Sequence, residues 1–367
     1  EHVGYDAVIE VILSCIKAFE IINNCLDEDY SNAISWLNDR LAEVWEDRGA
    51  FPGLGPMLCA IEMPLGVLIA KEIKEKFEDS GKKDMWNLVD DVIKQPKDYL
   101  YPELASKISP IIQKTWKGLS EERKSLFKLL SRFSLSIEQA RTLFNQNERQ
   151  KKDIACSDKE IIENPYLLYE QTRLKIDKLY ISVKKVDRAV FPVQSINEKY
   201  PLSEPSKLTS DNDERRVRAI SIAVLENEAN NGHTILPCEM LVDKVQELIL
   251  EPECKVTMDI LHAIEKFLKS EIIKREMKDG TEYNKLVRLN EFDEIIEKRV
   301  GKRLKADKLN VKADWRKMID DKFDKGKKVE LSEDENKART EKAAVLEELA
   351  KSRISVLVGD AGTGKTT

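Results

Sequence analysis

The residues whose types and spacing point most clearly to chemistry lie at positions 354–366. The apolar run Ile354–Val358 leads into Gly-Asp-Ala-Gly-Thr-Gly-Lys-Thr, which matches the pattern of a phosphate-binding loop. Its glycines allow the backbone to curl tightly, so several N–H groups can face one phosphate. Lys365 would bring a positive charge to the outer phosphates, and the Thr366 hydroxyl would bind Mg²⁺. The pattern predicts a strand followed by a nucleotide-binding loop, made of Gly359, Asp360, Ala361, Gly362, Thr363, Gly364, Lys365 and Thr366.

The place of this loop in the chain matters as much as its presence. Such a loop opens a nucleotide-binding domain of about 150 residues or more, whereas only Thr367 follows Thr366. The sequence also begins with Glu1 rather than methionine. We therefore expect the chain to be an internal piece of a longer protein, and we do not expect it to hydrolyse a nucleotide by itself.

The composition limits the class of protein. Of the 367 residues, 41% are hydrophobic and 35% are charged, which is typical of a helical, soluble, cytoplasmic protein. The net charge of -6 argues against a wholly basic nucleic-acid binder, although an acidic total can hide a local basic patch. No apolar run approaches the roughly 18 residues of a membrane span. The six cysteines lack metal-ligand spacing, so we expect reduced, mostly buried thiols.

The first 130 residues are predicted to form one all-helical domain, whose role the sequence does not reveal and which is a candidate for contacting a protein partner. Apolar periodicity predicts helices over 3–26 and 31–48, and the Gly- and Pro-rich stretch Arg48–Pro56 predicts a structured turn rather than a helix. The tryptophans within helical patterns are predicted to lie in the core, namely Trp36, Trp45 and Trp86.

The middle of the chain is predicted to hold two further domains. Residues 131–205 read as a helical region with serine-capped starts. Residues 206–290 contain three amphipathic helices, followed by two strand-like runs at 272–277 and 283–289 that join around Asp279-Gly280. This order predicts a winged helix-turn-helix whose third helix, around 260–268, is where a DNA reader would sit.

Residues 291–330 are predicted to form a long helix and a charged connector. Between Lys298 and Lys328 there are thirteen Lys or Arg against five Asp or Glu, which makes this the one clearly basic stretch. It has two interpretations that the sequence leaves open: contact with a phosphate backbone, or an ordinary solvated helix face.

Six segments together resemble one family, the RecD-like DNA helicases of superfamily one, from about residue 131 to the end. The order and spacing of the segments point to this family more than the phosphate-binding loop alone does. The segments are Leu135–Arg141, Glu163–Glu170, Arg215–Ala219, Gly232–Pro237, Leu331–Ala338 and Ser355–Thr367.

The resemblance implies a mainly α chain in which 331–367 begin a RecA-like α/β motor domain. The implied activity is ATP hydrolysis coupled to movement along single-stranded DNA and to duplex unwinding, with ATP and Mg²⁺ bound by the loop. The family normally has Leu-Ser-x-x-Gln before the loop, whose glutamine reads adenine. Here Glu335 stands at that position, and an ionised carboxylate can accept hydrogen bonds but cannot donate them. Asn336 is the alternative reader.

The chain also departs from the family's pattern in the region of the helix-hairpin-helix units. Their glycine-rich hairpins grip DNA phosphates, but 133–144 and 173–191 contain no glycine, so the region 131–205 is expected to be degenerate. His233 is read as a linker residue rather than a base or ligand. A second function therefore stays open: a regulatory or protein-interaction module of a P-loop ATPase that acts on something other than duplex DNA.

Overall fold

The computed structural model is mainly helical, which confirms the predicted fold class at that level. Two compact units are distinguished, Glu1–Leu286 and Val287–Thr367. The residues that the structure describes are 4–26, 29–80, 84–175, 178–324 and 330–359.

The first unit opens with two long helices, α1 (Tyr5–Cys25) and α2 (Ser31–Arg48), that pack on each other. Both helices lie where the apolar periodicity predicted them. Their shared core is sealed by side chains from a distant helix as well as their own. Its buried members are Ile9, Ile16, Leu41, Trp45, Ala50 and Ile196.

Trp36 corrects one prediction about this pair. Its side chain is 60% exposed, whereas Trp45 is 2% exposed. Nine residues separate the two, which is two and a half turns of an α-helix, so they point to opposite sides. The guanidinium of Arg40 lies 5.9 Å from the Trp36 ring centroid, which gives the exposed ring a cation partner. Trp86 is half-buried.

Seven shorter helices continue the described part of the first unit. The helices are α3 (Leu54–Ala60), α4 (Gly66–Ser80), α5 (Met85–Lys94), α6 (Pro96–Tyr99), α7 (Pro102–Ala105), α8 (Pro110–Lys117) and α9 (Glu121–Leu130).

The stretch Arg48–Pro56 was predicted to be entirely non-helical, and this is wrong for its last three residues. Helix α3 begins at Leu54, since a proline in the first turn of a helix loses no intrahelical hydrogen bond. Gly53 precedes it, and a Cβ added there would lie 2.1 Å from the Phe133 carbonyl oxygen. Only glycine therefore allows this approach of the two backbones.

Six helices follow, and serine side chains start several of them. Ser136 and Ser157 each form a capping box, in which the hydroxyl accepts from the third backbone N–H of the helix. Asn164 ends one helix directly before Pro165. The helices are α10 (Ile137–Phe144), α11 (Gln146–Lys151), α12 (Asp158–Glu163), α13 (Leu167–Thr172), α14 (Val183–Val190) and α15 (Gln194–Lys199).

The last part of the first unit combines helices with a small antiparallel sheet of strand order β1-β3-β2. Leu236 pairs with Asn284, and Ile273 pairs with Lys285. Gly280, with φ of 84°, makes the turn between β2 and β3. The elements are α16 (Glu214–Asn230), β1 (Leu236–Pro237), α17 (Cys238–Glu247), α18 (Met258–Ala263), α19 (Glu265–Leu268), β2 (Ile272–Glu276) and β3 (Glu282–Leu286).

Two details of this part differ from the sequence prediction. The expected third helix is divided at Ile264 into α18 and α19, and Ile264 caps both. The second strand ends at Leu286, so Val287–Leu289 begin a helix instead of extending the hairpin. The alternation of Val287, Arg288 and Leu289 fits a strand, but three residues also fit one turn of a helix, so periodicity alone cannot separate the two.

The second unit contains three described helices: α20 (Val287–Leu304), α21 (Trp315–Asp324) and α22 (Glu333–Lys351). Helices α21 and α22 pack against each other. A long helix followed by a connector was predicted for 291–330, and α20 accounts for the helix.

All six cysteines are free, and four of them are buried, as expected for structural thiols. In the part of the chain that the structure describes, every helix is too short or too polar to span a bilayer. Within the same residues, no group of three or more His, Cys, Asp and Glu side chains could hold a metal ion.

Candidate nucleotide site and nucleic-acid interface

The approach to the phosphate-binding loop begins at the N-terminus of α22. Ser332 caps the helix, and its hydroxyl accepts a hydrogen bond from the Glu335 N–H at 3.2 Å. Glu333, Asp334 and Glu335 occupy the first turn, where negative charge favours the helix dipole. The Leu331-Ser332 pair therefore marks a helix start and places Glu335 on the first turn.

The carboxylate of Glu335 is held by an arginine. Its Oε1 accepts from the Nε of Arg339 at 2.9 Å, and Arg339 also donates to Asp320 and Asp324 on α21. Arg339 is 5% exposed, so three carboxylates compensate one nearly buried guanidinium. This network fixes α22 to α21 and gives Glu335 a structural role beside the predicted adenine contact.

Asn336, the alternative adenine reader, is also engaged. Its Oδ1 accepts from the Nη2 of Arg316 at 2.8 Å, while its Nδ2 forms no hydrogen bond with the residues described here. The amide can therefore still donate, which Glu335 cannot do when ionised. Consecutive helical residues point about 100° apart, so only one of the two would read a given base edge.

The apolar run before the loop does not form the predicted strand. Residues 354–358 pair with no other strand among the described residues, and Val356 and Val358 are 84% and 86% exposed. An extended segment gains ladder hydrogen bonds only from a neighbouring strand, so β-branched residues alone do not make one.

The phosphate-binding residues themselves fall largely outside what the structure describes. Gly359 is the last described residue, and the nucleotide and Mg²⁺ contacts predicted for the loop stay predictions. The predicted residues beyond the described part are Asp360, Ala361, Gly362, Thr363, Gly364, Lys365 and Thr366.

The candidate nucleic-acid interface was expected at the third helix of the predicted winged helix, around 260–268. The arginines of that predicted domain's first helix, α16, are considered before it. Arg216 is 0% exposed, and its guanidinium donates to both carboxylate oxygens of Asp187, at 2.8 and 2.9 Å. Tyr166 donates to the same carboxylate at 2.6 Å. Arg216 is therefore an internal support that cannot reach a phosphate.

The other two arginines of α16 also donate to acceptors on the protein itself. Arg218 donates to the Glu170 carboxylate at 2.6 Å. Arg215 pairs with Asp213 and donates to three backbone carbonyls, those of Glu163, Pro205 and Lys207. These bonds tie α16 to the helices that precede it.

The third helix and the hairpin carry mixed charge. On the hairpin, Lys274 pairs with Glu282 at 2.6 Å, and His262 of α18 lies 3.2 Å from the same carboxylate. Lys269 pairs with Glu265 at 3.6 Å. Lys269 and Lys274 therefore have acidic partners on the protein itself, which reduces their value to a phosphate backbone. Lys266, Arg275 and Lys278 are exposed and form no ion pair with the described residues.

The C-terminal half of α20 is different. Lys298, Arg299, Lys302 and Arg303 are all exposed, and with spacings of three and four residues they share one side of the helix. None of the four forms an ion pair within the described residues. We call these four residues the α20 basic face. Their position near a helix C-terminus also suits the helix dipole.

At two helix starts of the region 131–205, a serine side chain accepts from a first-turn backbone N–H. The Ser136 hydroxyl accepts from the Gln139 N–H, and the Ser182 hydroxyl accepts from the Lys185 N–H. These serines satisfy donors that a phosphate would otherwise accept from. His233 is exposed on the link between α16 and β1, as a linker residue would be.

Comparison with known proteins does not assign a function to these residues. No family model matches the chain, and no solved structure matches it. The chain is similar to an uncharacterized protein of Methanocaldococcus jannaschii, with 25% identity over 342 residues that cover 89% of this chain. The alignment covers 28% of that relative, so the chain spans less than a third of the relative's length.

Proposed function

We propose that the chain is the accessory region, and the start of the motor, of an ATP-dependent DNA helicase of the RecD-like kind. The observation that supports this most is the order of elements. A helix–strand–helix–helix–hairpin unit (214–286) is followed by α20, by the serine-capped helix α22 and by the Gly-x-x-x-x-Gly-Lys-Thr sequence.

The order and pairing of the elements over 214–286 support assigning this unit as a winged helix. Helix α16 leads through β1 to α17, then α18 and α19, and the β2–β3 hairpin forms the wing, with β1 paired to β3. Winged helices bind nucleic acid through the third helix or the wing. Here the charge balance favours the α20 basic face as the main phosphate contact of the region.

In the proposed motor, the phosphate-binding loop would hold ATP. Lys365 would neutralise charge that develops on the outer phosphates, and Thr366 would bind the Mg²⁺ ion. Glu335 or Asn336 would contact the adenine. Turnover would need the remainder of a RecA-like domain, which supplies a second acidic Mg²⁺ ligand and the residues that position water.

A second candidate function is a regulatory module of a P-loop ATPase that does not act on duplex DNA. Two observations favour it: Arg216 is buried while Arg215 and Arg218 bond to acceptors on the protein itself, and Lys269 and Lys274 of the third helix and hairpin have acidic partners. In this case the winged helix would contact protein rather than DNA.

The two functions are separated by measuring ATP hydrolysis in the longest polypeptide that contains this chain. The helicase proposal predicts that single-stranded DNA raises turnover about tenfold or more, and that Lys365→Ala removes hydrolysis with and without DNA. Hydrolysis that depends on Lys365 but is indifferent to DNA would favour the regulatory module and contradict the helicase.

A further inference from the structure

A cavity of about 340 Å³ opens in the first unit beside α5 and α9. This volume lies at the lower end of small-molecule pockets, which begin near ~300 Å³. Three aromatic side chains line it: Phe51, Trp86 and Tyr200. The Phe51 ring centroid lies 5.1 Å from that of Trp86 and 5.5 Å from that of Tyr200, both edge to face. The wall is therefore a continuous aromatic surface.

Three cations from the cavity lining each lie over one of these rings. The Nζ of Lys128 is 5.7 Å from the Trp86 centroid, and the Nζ of Lys199 is 5.4 Å from the Tyr200 centroid. The Arg132 guanidinium lies 5.6 Å from the Phe51 centroid. The cavity thus combines flat π-surfaces with a surplus of positive charge.

Two carboxylates also line the cavity, Asp84 and Glu204. The Oδ1 of Asp84 accepts from the Trp86 N–H at 2.9 Å and so caps α5. Neither carboxylate pairs with Lys128, Arg132 or Lys199 in the part of the chain that the structure describes. The cations therefore stay available to a ligand.

Arg132 is the most informative of the three, because it is 4% exposed. Its Nε donates to the Ala189 carbonyl and its Nη1 to the Tyr200 carbonyl, both at 2.9 Å. Its Nη2 forms no hydrogen bond with the described residues, and no carboxylate among them pairs with it. Burial, with the nearby charge of Arg48, lowers the pKa of Arg132 to about 10, so the guanidinium is still charged at neutral pH.

A buried guanidinium with only neutral acceptors is costly to a fold unless something supplies the missing negative charge. The two carbonyls lie near the ends of α14 and α15 and account for two of the donors. They leave Nη2, on a side chain that lines the cavity, without a protein partner among the described residues. Nη2 is not one of the fully buried unpartnered atoms, so solvent or a ligand can reach it. An anion in the cavity would provide both the acceptor and the counter-charge.

We propose that this cavity binds a nucleoside phosphate, with its phosphate on Arg132, Lys128 and Lys199 and its base against Trp86 and Tyr200. A guanidinium suits phosphate oxygens, and aromatic rings accept the π-face of any base. The same chemistry is offered by a free nucleotide and by one unit of a single strand. The site uses none of the residues of the phosphate-binding loop, so it stands or falls independently of the helicase proposal.

Calorimetric titration of the chain carrying Lys365→Ala tests the site without the loop. The probes are AMP, adenosine, inorganic phosphate and a short oligothymidylate. Adenosine lacks the phosphate that the cations would bind, and inorganic phosphate lacks the base that the aromatic rings would contact. Each should therefore bind at least about tenfold more weakly than AMP. The oligonucleotide is titrated into a chain that also carries Arg299→Glu and Arg303→Glu, which removes the contribution of α20. Tighter binding of AMP would identify a free nucleotide as the ligand, and tighter binding of the oligonucleotide would identify a strand.

The variant Lys128→Glu/Lys199→Glu assigns the binding to this cavity. Both lysines are exposed, so the variant should fold, which its thermal unfolding will show. The matched control is Lys107→Glu/Lys255→Glu, which makes the same charge change at exposed residues outside the cavity lining. The cavity variant should lose about tenfold or more in affinity, and the control less than about twofold. The proposal would be overturned if the chain bound neither AMP nor the oligonucleotide, or if the cavity variant and the control lost affinity equally.

Discussion

Helices α16 and α20 both carry clustered basic residues and use them in opposite ways. On α16, the buried Arg216 donates to backbone carbonyls and to the Asp187 carboxylate, which also accepts from the Tyr166 hydroxyl. On the α20 basic face, Arg299 and Arg303 point outward without an ion-pair partner in the described structure. Basic character in a sequence therefore does not locate a nucleic-acid surface. Burial and pairing decide which cations are available to phosphate.

The largest expected effect is the loss of folding stability when the buried Arg216 of α16 is replaced. Arg216→Ala would leave the Asp187 carboxylate buried without its counter-charge, and we expect a loss of about 3–5 kcal/mol in the free energy of unfolding. Urea denaturation followed by circular dichroism measures it. The matched change on α20, Arg299→Ala, should cost less than about 0.5 kcal/mol. Similar losses for the two variants would show that the comparison is wrong.

The buried carboxylate of Asp158 extends this comparison, because the stability that it contributes depends on pH. Burial opposes ionisation of Asp158, but hydrogen bonds from Arg123 and Arg149 outweigh it and hold the pKa below the ordinary 3.8. A lowered pKa in the folded state stabilises the protein above pH 3.8, and this contribution is lost as the pH falls through the folded-state value. Asp158→Asn should therefore cost about 3 kcal/mol at pH 7.

The measurement for Asp158 is urea denaturation of both proteins at a series of pH values. The difference in free energy of unfolding between wild type and Asp158→Asn should be constant from pH 7 to about pH 5 and shrink below pH 4. A difference that grows as the pH falls would contradict the assigned sign.

On the exposed side, Arg299→Glu/Arg303→Glu should weaken binding of single-stranded DNA by about tenfold at low salt. Two lost phosphate contacts should also reduce the slope of log affinity against log salt by about 1.4. Fluorescence anisotropy with a labelled oligonucleotide measures both quantities. Lys107→Glu/Lys255→Glu serves as the charge-matched control. Unchanged affinity and slope would show that single-stranded DNA does not contact the α20 basic face.

The smallest expected effect concerns thiol accessibility. Cys15 and Cys25 are exposed, and the other four thiols are buried. Burial raises the pKa of Cys156 to about 11 and that of Cys254 to about 12, so both stay protonated and unreactive at neutral pH. An Ellman assay should therefore find two fast thiols per chain under native conditions and six in denaturant. Four or more fast thiols would show that the first unit opens readily.

The sequence predicted local features well, because these depend on nearby residues. Helix α2 follows from its apolar spacing, and α10 follows from its serine cap. The partners of Arg216 could not be predicted, since Asp187 and the carbonyl of Glu253 come from distant parts of the chain. The aromatic cavity was missed for the same reason, because its walls are contributed by five separate stretches.

The most direct test of the helicase proposal is strand separation by the longest polypeptide that contains this chain. A fluorescent duplex with a single-stranded tail is followed in the presence of ATP and Mg²⁺. We predict that the wild type separates the strands, while Lys365→Ala binds the tail with unchanged affinity and separates none of the duplex. Strand separation at the same rate by Lys365→Ala, or ATP hydrolysis by the wild type without any separation, would contradict the proposal.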